Sequence, residues 1–315
     1  MHKKLFFILL FKILIFNSLA AQTPFFERDT VLNKKRLYGL IGTTAVGYTG
    51  AVLLLNNVWY AQYPKSSLHS FDDDGEWLQM DKGGHVLTAY VESKWAYQAF
   101  RWAGVNNRKA AWYGMGAGML FQTTLEIMDG FSAGWGFSWG DMAANTSGAA
   151  LFGVQQAVWN EQRMLLKFSN FPKNYDKTPV QVGDKTISVS QMADNLFGNN
   201  YTETFFKDYN ALSWWLSVNP RSFAKKSNFP PWLNIAVGYS AENVFGAYGN
   251  YAPAYENIYP RYRQYFLSLD IDLSKIKTKS KVLKAVFQAF NFVKIPAPTL
   301  EYNSQGNFVF HPIMF

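Results

Sequence analysis

Between Asp81 and Gly148, three polar groups interrupt segments that are otherwise apolar and rich in small residues. The groups read DKGGH (81–85), EIMDG (126–130) and DMAANTSG (141–148). Ionisable side chains are costly to bury without partners, so their presence in apolar segments points to a shared cluster. The sequence therefore predicts a helical region with one polar site, and it leaves open which reaction, if any, occurs there.

The composition indicates a chain with a large interfacial or lipid-facing surface. Hydrophobic residues make up 49% of the 315 residues, aromatic residues 18% and charged residues 17%. Trp and Tyr favour membrane boundaries. A mean hydropathy of -0.13 argues against a protein embedded throughout, so we expect one membrane-associated part and one soluble part.

The N-terminus has the pattern of a secretory signal peptide over residues 1–21. A basic start precedes an apolar run from Leu5 to Phe16, and small residues around Ala20 suit cleavage. An uncleaved anchor helix is the alternative. We expect an exported protein at a cell-envelope membrane, either at the outer membrane or at the periplasmic face, with the inner membrane as a further option.

The chain contains no cysteine, which excludes disulfides, thiol catalysis, cysteine metal sites and a lipid-modified cysteine. The formal net charge of +8 falls to +5 when residues 1–21 are removed, because three lysines and no acidic residue lie there. The remaining lysines are dispersed, so no nucleic-acid partner is expected. Membrane lipid is the expected partner, and another envelope protein is the second candidate.

Four helical segments are predicted over residues 34–167, and they predict a mainly α fold built on a four-helix membrane-type bundle. The first has no charge from Leu37 to Leu55 and is long enough to cross a bilayer. Glycines in the third, with Gly114 and Gly118 in a GxxxG spacing, favour close helix packing. The fourth is predicted to continue to about residue 167.

Residues 168–315 are predicted to form a smaller region of mixed α+β character. A helical, aromatic stretch is expected over residues 190–218. Alternating apolar and polar residues predict strands at 233–240 and 265–273 and a final hairpin over 298–310. A short amphipathic helix fits Lys281 to Phe290.

Spacing places the polar groups at helix ends. Asp81 and His85 are four residues apart and share a helix face, and Asp141 and Asn145 have the same spacing. If the second, third and fourth helices are neighbours, the polar side chains converge at one end of the bundle. The seven candidate residues are Asp81, Lys82, His85, Glu126, Asp129, Asp141 and Asn145.

Three interpretations of this cluster stay open. The first is structural, with carboxylates that cap helices and pair with His85. The second is a metal site, for which a hard cation fits better than Zn²⁺ because the bundle has one histidine. The third is an acid–base or lipid-headgroup site, in which His85 carries the proton, Glu126 or Asp141 orients it, and Lys82 holds a phosphate.

We assign candidate catalytic roles to His85, Glu126 and Asp141. Candidate ligand-binding roles go to the other four residues, Asp81, Lys82, Asp129 and Asn145. No metal and no cofactor is expected. Nucleophile, phosphate-loop and dinucleotide motifs are missing from the sequence, so it remains open whether the protein is an enzyme.

The pattern Asp-Lys-x-x-His, then Glu, then Asp-x-x-x-Asn-x-x-Gly resembles the VanZ-like membrane proteins. It also resembles an exported bacterial family called YfiM-like, whose members are described as periplasmic lipoproteins of unknown function. The resemblance covers about residues 80–160 and is carried by the seven candidate residues together with Tyr90, Gly130 and Gly148. Residues 208–210, 215–219 and 232–239 are similar to the extended form of the YfiM-like family.

The chain departs from both patterns. It has no cysteine for lipid attachment, so the lipoprotein description does not transfer. VanZ-like proteins have Gln and Arg in the loop after the Glu, whereas this chain has no Arg between Arg108 and Arg163. The resemblance implies a location and a site, and it implies no activity.

These observations lead us to expect an exported, membrane-associated envelope protein that serves as an accessory or scaffold of an envelope assembly. The alternative is a binder or hydrolase of a lipid-linked or phosphorylated envelope molecule that uses the His/Glu/Asp cluster.

Overall fold

The computed structural model describes residues 28–182, 185–224, 226, 228–250, 256 and 258–314. The predicted signal peptide, residues 1–21, lies outside the described residues. Helices come first along the chain and an antiparallel sheet follows, which confirms the predicted order of helical and strand regions.

The first helix, α1 (Lys34–Leu54), contacts the others along one side, through Leu37 and Tyr48, and continues into a π-helical turn at Leu55–Trp59. Every residue of α1 is described, and none of them is buried. Among the described residues, Lys34–Asn57 is the one helical stretch that is long and apolar enough to cross a membrane, with a mean hydropathy of 1.4. The assignment of Lys34–Asn57 as a possible membrane span rests on length and composition, which a signal sequence shares.

The next three helices form the packed part of the helical region. They are α2 (Met80–Trp102), α3 (Asn107–Gly130) and α4 (Trp139–Trp159), and each packs against the other two. Tyr90 and Phe152 meet in their core with ring centroids 5.8 Å apart. Helix α1 packs against this core through the partly buried Leu37 and contributes no fully buried side chain to it. The membrane-type character of the bundle stays a prediction.

A six-stranded antiparallel sheet, with strand order β1-β4-β5-β6-β7-β8, dominates the described C-terminal part. A separate hairpin pairs β2 with β3. The strands are β1 (Met164–Asn170), β2 (Val180–Val182), β3 (Lys185–Ile187), β4 (Leu212–Val218), β5 (Leu233–Glu242), β6 (Tyr262–Ile271), β7 (Ala297–Asn303) and β8 (Phe308–Met314). The helices between them are α5 (Val189–Phe197), α6 (Tyr201–Lys207), α7 (Pro220–Phe223) and α8 (Lys281–Phe290).

Two predicted helix boundaries are wrong. The helix α4 ends at Trp159, where Asn160 adopts a left-handed conformation with φ 54°, and strand β1 begins before residue 167. Residues 212–218, predicted to be helical, form β4 in the interior of the sheet. The strands near 233–240 and 265–271, the helix at 281–290 and the final hairpin are confirmed.

The enclosed face of the sheet is mostly polar and surrounds a small apolar group formed by Trp215, Ala236 and Phe266. Lys167 Nζ lies 2.7 Å from Asp270 Oδ2, and both side chains have no exposed area. Ser217 donates a hydrogen bond of 2.6 Å to the same carboxylate. The chain before β7 returns to β1, where Val293 pairs with Phe168, and this return helps to enclose the polar face.

The opposite face is apolar, and the strand register arranges its side chains in cross-strand rows. The apolar row consists of Leu216, Val237, Leu267, Leu300 and Phe310. The aromatic row beside it consists of Trp214, Tyr239, Tyr265, Tyr302 and Phe308. Helices cover the β1–β4 end of this face, but over β6 to β8 it is open, with Leu267 50% and Phe310 61% exposed. The sheet is therefore inverted, with polar side chains inside and apolar side chains outside.

Candidate functional site

The candidate site forms where the N-termini of α2 and α4 meet the C-terminus of α3. Close helix contact makes this possible. A Cβ on Gly148 of α4 would overlap the Val86 carbonyl oxygen of α2, and one on Gly118 of α3 would overlap the Ser93 hydroxyl of α2. Side chains at these three helix ends therefore project into one small volume.

His85 lies at the centre of the cluster. Its Nε2 is 3.5 Å from Asp81 Oδ2 and 3.6 Å from Asp141 Oδ1. Its Nδ1 is 3.2 Å from Asn145 Oδ1 and 3.6 Å from Glu126 Oε1. The predicted convergence of these five residues is what the structure shows.

Lys82 and Asp129 occupy the edges of the cluster. Lys82 Nζ lies 2.8 Å from Asp141 Oδ1 and also pairs with Asp73. Asp129 accepts a hydrogen bond of 2.7 Å from the Tyr60 hydroxyl and lies beyond direct contact with His85. Lys82 is thus already neutralised by carboxylates and is not a free cation.

Three further residues complete the cluster, and sequence reasoning did not assign them to it. Asp73 accepts hydrogen bonds from Lys82 and from Ser138, the latter at 2.6 Å. Ser138 caps α4 by accepting from the Asp141 backbone, 3.0 Å away. Tyr209 donates to Asp81 at 2.8 Å across 128 residues of sequence. The similarity of residues 208–210 to the YfiM-like pattern was the one signal that could have identified Tyr209.

Burial and crowding of like charges shift the pKa values of the acidic groups upward. Burial, reinforced by Asp141 and Asp129, raises the pKa of Glu126 to about 8, although the charge of His85 opposes this shift. Burial also raises the pKa of Asp129 to about 6 and raises that of Asp141. Carboxyl groups in this state can hold a proton near neutral pH.

The pKa values of the basic groups are also raised, but against the effect of burial. Burial alone would lower the pKa of His85, but the adjacent carboxylate of Asp81, with the charges of Asp141 and Glu126, raises it to about 9. Burial would also lower the pKa of Lys82, and Asp141 and Asp73 raise it. The cluster therefore favours positive charge at its centre.

A left-handed segment, Glu76–Gln79, leads into α2 and fixes its first turn. Trp77, Leu78 and Gln79 have φ values of 50°, 51° and 63°. Such conformations cost side-chain-bearing residues about 1–2 kcal/mol each, so the surroundings must hold them. Tyr239 of β5 donates a hydrogen bond to the Leu78 carbonyl, and Arg263 of β6 donates to Gln79 Oε1 at 2.8 Å.

Comparison with protein families matches a segment that contains the residues of the cluster except Tyr209. A family model described as predicted periplasmic lipoprotein (DUF2279) matches residues 70–156. This match agrees with the lipoprotein-family part of the resemblance and with an exported, envelope-associated protein. It does not show a VanZ-like relationship. The searches of curated proteins and of solved structures return no match.

Proposed function

We propose that this protein is a membrane-seated accessory or scaffold of the cell envelope, whose inverted sheet rests against lipid. The observation that carries the proposal is the apolar row beside the aromatic row on the open face of the sheet. A water-soluble sheet exposes its polar face, whereas this one encloses the Lys167–Asp270 pair and exposes Leu267 and Leu300. Lipid is the solvent that suits such a face.

The dimensions favour insertion into one leaflet. Side chains two residues apart on a strand are separated by about 7 Å. The aromatic row, the apolar row and a third row at Ile235 and Leu269 therefore span about 13 Å together. The hydrocarbon core is about 30 Å thick. The aromatic row would lie near the headgroups, where Tyr and Trp are favoured. Helix α1, about 32 Å long, is the part of the chain that could cross the whole core.

Single-cysteine variants test this placement, because the chain has no cysteine of its own and a thiol-reactive label attaches only to the introduced residue. The full-length Leu267→Cys protein would carry an environment-sensitive fluorophore and be reconstituted into vesicles. The matched control is Leu196→Cys, a leucine of α5 that is 40% exposed and lies outside the sheet. We expect a lipid-borne nitroxide to quench the label at residue 267 and an aqueous quencher to act at residue 196.

Two outcomes would overturn the proposal. Equal quenching of both labels by the aqueous quencher would place the sheet in water. Protection of residue 267 from both quenchers would mean that protein, such as a second copy of this chain, covers the face. Density-gradient separation of the envelope would then identify which membrane contains the protein.

A second candidate function uses the cluster to bind or process a phosphorylated or lipid-linked envelope molecule. The observation that favours it is Glu126, a buried carboxyl with a pKa raised to about 8 beside His85. A group that holds a proton near neutral pH suits general acid catalysis. The test is thermal stabilisation by glycerol phosphate. We expect glycerol phosphate to raise the melting temperature of the wild type and not that of His85→Gln. Equal increases in the two proteins would contradict this second candidate function.

A further inference from the structure

We infer that Asp81, His85 and Asp141 form a binding site for a divalent metal ion. One atom from each, a carboxylate oxygen or an imidazole nitrogen, lies within 4.8 Å of the others. The two nearest separations, both from His85 Nε2, are 3.5 Å and 3.6 Å. These are long for hydrogen bonds. Ligand atoms about 2.1 Å from a shared ion, at near-tetrahedral angles, lie about 3.4 Å apart.

Another histidine of the same chain shows what an ordinary histidine–carboxylate pair looks like here. His311 Nε2 lies 2.7 Å from Glu301 Oε2, at hydrogen-bond distance. His85 approaches two carboxylates instead of one and keeps a wider separation from both. The spacing around His85 is therefore a local property of the cluster.

The inner side of the His85 ring has the support that metal-binding histidines require. Its Nδ1 lies 3.2 Å from Asn145 Oδ1, and Asn145 is fully buried. Because an amide oxygen only accepts, this contact places a proton on Nδ1, so Nε2, which faces Asp81 and Asp141, is the nitrogen that would release its proton to bind a metal ion. Metal-bound histidines commonly donate their second N–H to such a partner.

Glu126 supplies an independent indication of a ligand. Its side chain is 1% exposed, and its Oε1 has no hydrogen-bond partner among the described residues although it lies 3.6 Å from His85 Nδ1. An unpaired buried carboxyl oxygen is costly. A metal ion at Nε2 would polarise the imidazole ring and make its Nδ1–H more positive. Glu126 Oε1, on the Nδ1 side, would then be stabilised.

The charge balance also favours a cation. Lys82 and His85 are the basic side chains of the cluster, and Lys82 is shared between Asp73 and Asp141. The acidic side chains around them are Asp73, Asp81, Glu126, Asp129 and Asp141. Mixed imidazole and carboxylate ligands suit Mn²⁺ or Zn²⁺ better than Ca²⁺, which takes oxygen ligands.

This inference does not depend on lipid contact, and it deepens the second candidate function by supplying the cation that Lys82 does not provide for a phosphate. The test needs no phosphorylated compound, so its failure is distinct from a failure of that candidate. The full chain, with any affinity tag removed, would be stripped with a chelator and titrated with Mn²⁺ and Zn²⁺ by calorimetry. We expect one ion per chain.

Matched variants locate the site. His85→Gln should weaken binding at least tenfold, and Asn145→Ala about 10–100-fold, as removal of a supporting partner does elsewhere. His311→Gln, which removes the histidine of β8 that is hydrogen-bonded to Glu301, should leave binding unchanged. The absence of stoichiometric binding, or equal affinity in His85→Gln and His311→Gln, would overturn the inference.

A measurement on the wild type covers the case in which His85→Gln fails to fold. Protein labelled with ¹⁵N-histidine and loaded with Mn²⁺ should show nitrogen hyperfine coupling from a directly bound imidazole in pulsed electron paramagnetic resonance. Bound Mn²⁺ without that coupling would show that His85 is not a ligand.

Discussion

Replacement of Asp270 by Asn should destabilise the protein strongly, because it leaves the Lys167 ammonium inside the sheet without its counter-charge. Lys167 Nζ lies 2.7 Å from Asp270 Oδ2, and neither side chain has exposed area. The other acceptor for this ammonium is the Ile271 carbonyl, also at 2.7 Å, which carries no net charge. The substitution keeps the size of the side chain, so the change is one of charge.

The magnitude follows from the contacts that the carboxylate makes. Besides Lys167, it accepts hydrogen bonds from Ser217 at 2.6 Å and from the Ile295 backbone at 3.1 Å. Removing one partner of a buried ion pair costs about 3–5 kcal/mol. We expect a loss of about 4 kcal/mol, a large part of the roughly 5–15 kcal/mol that a folded domain has in total.

Urea unfolding of the wild type and the variant in the same detergent measures this loss. The control is Asp194→Asn, an exposed carboxylate on α5, which should change the free energy of unfolding by less than about 0.5 kcal/mol. The double variant Lys167→Met with Asp270→Leu should recover much of the loss, since an apolar pair needs no counter-charge. A loss of less than about 1 kcal/mol in the free energy of unfolding for Asp270→Asn would refute the interpretation that the enclosed face excludes water.

Three further predictions concern the helices. Gly148→Val should separate α2 from α4, because a side chain there meets the Val86 carbonyl. We expect a loss of about 1–3 kcal/mol in thermal unfolding, whereas Gly116→Ala, with nothing within 4 Å, should be neutral or stabilising. Ser138→Ala should cost about 1 kcal/mol in the same assay, because α4 loses its N-cap. Burial raises the pKa of Glu92 to about 7, so the folded state holds a proton that the unfolded state releases above about 4.5. Stability should therefore fall as pH rises from 4.5 to 7. Glu92→Gln should make that fall smaller without removing it, because Glu126, Asp129 and Asp141 also have raised pKa values. A variant that keeps the full wild-type pH dependence would contradict the assignment.

The helical part of the site could be predicted because its geometry is local. The i,i+4 spacing of Asp81 with His85, and of Asp141 with Asn145, fixes a shared helix face whatever the surroundings. The GxxxG spacing of Gly114 and Gly118 predicted close helix contact. The polar side chains lie at the ends of three helices, so the cluster could be predicted once these helices were assumed to be neighbours.

The rest depended on long-range contacts. Tyr209 reaches Asp81 across 128 residues, and no local pattern encodes such a pairing. β4 was mistaken for a helix because its apolar run, Trp214 to Leu216, lacks a clear alternation. The end of α4 depends on the left-handed Asn160, which local helix propensity does not reveal.

The left-handed segment before α2 has a consequence for the order in which the molecule assembles. Its strained residues are held by Tyr239 and Arg263, which lie more than 150 residues further along the chain. Contacts of such separation form late in folding, because a long loop must close first. The three helices can associate early, but the first turn of α2, with Asp81 and His85, reaches its final position only when β5 and β6 are in place. Completion of the cluster thus reports that the C-terminal sheet has folded.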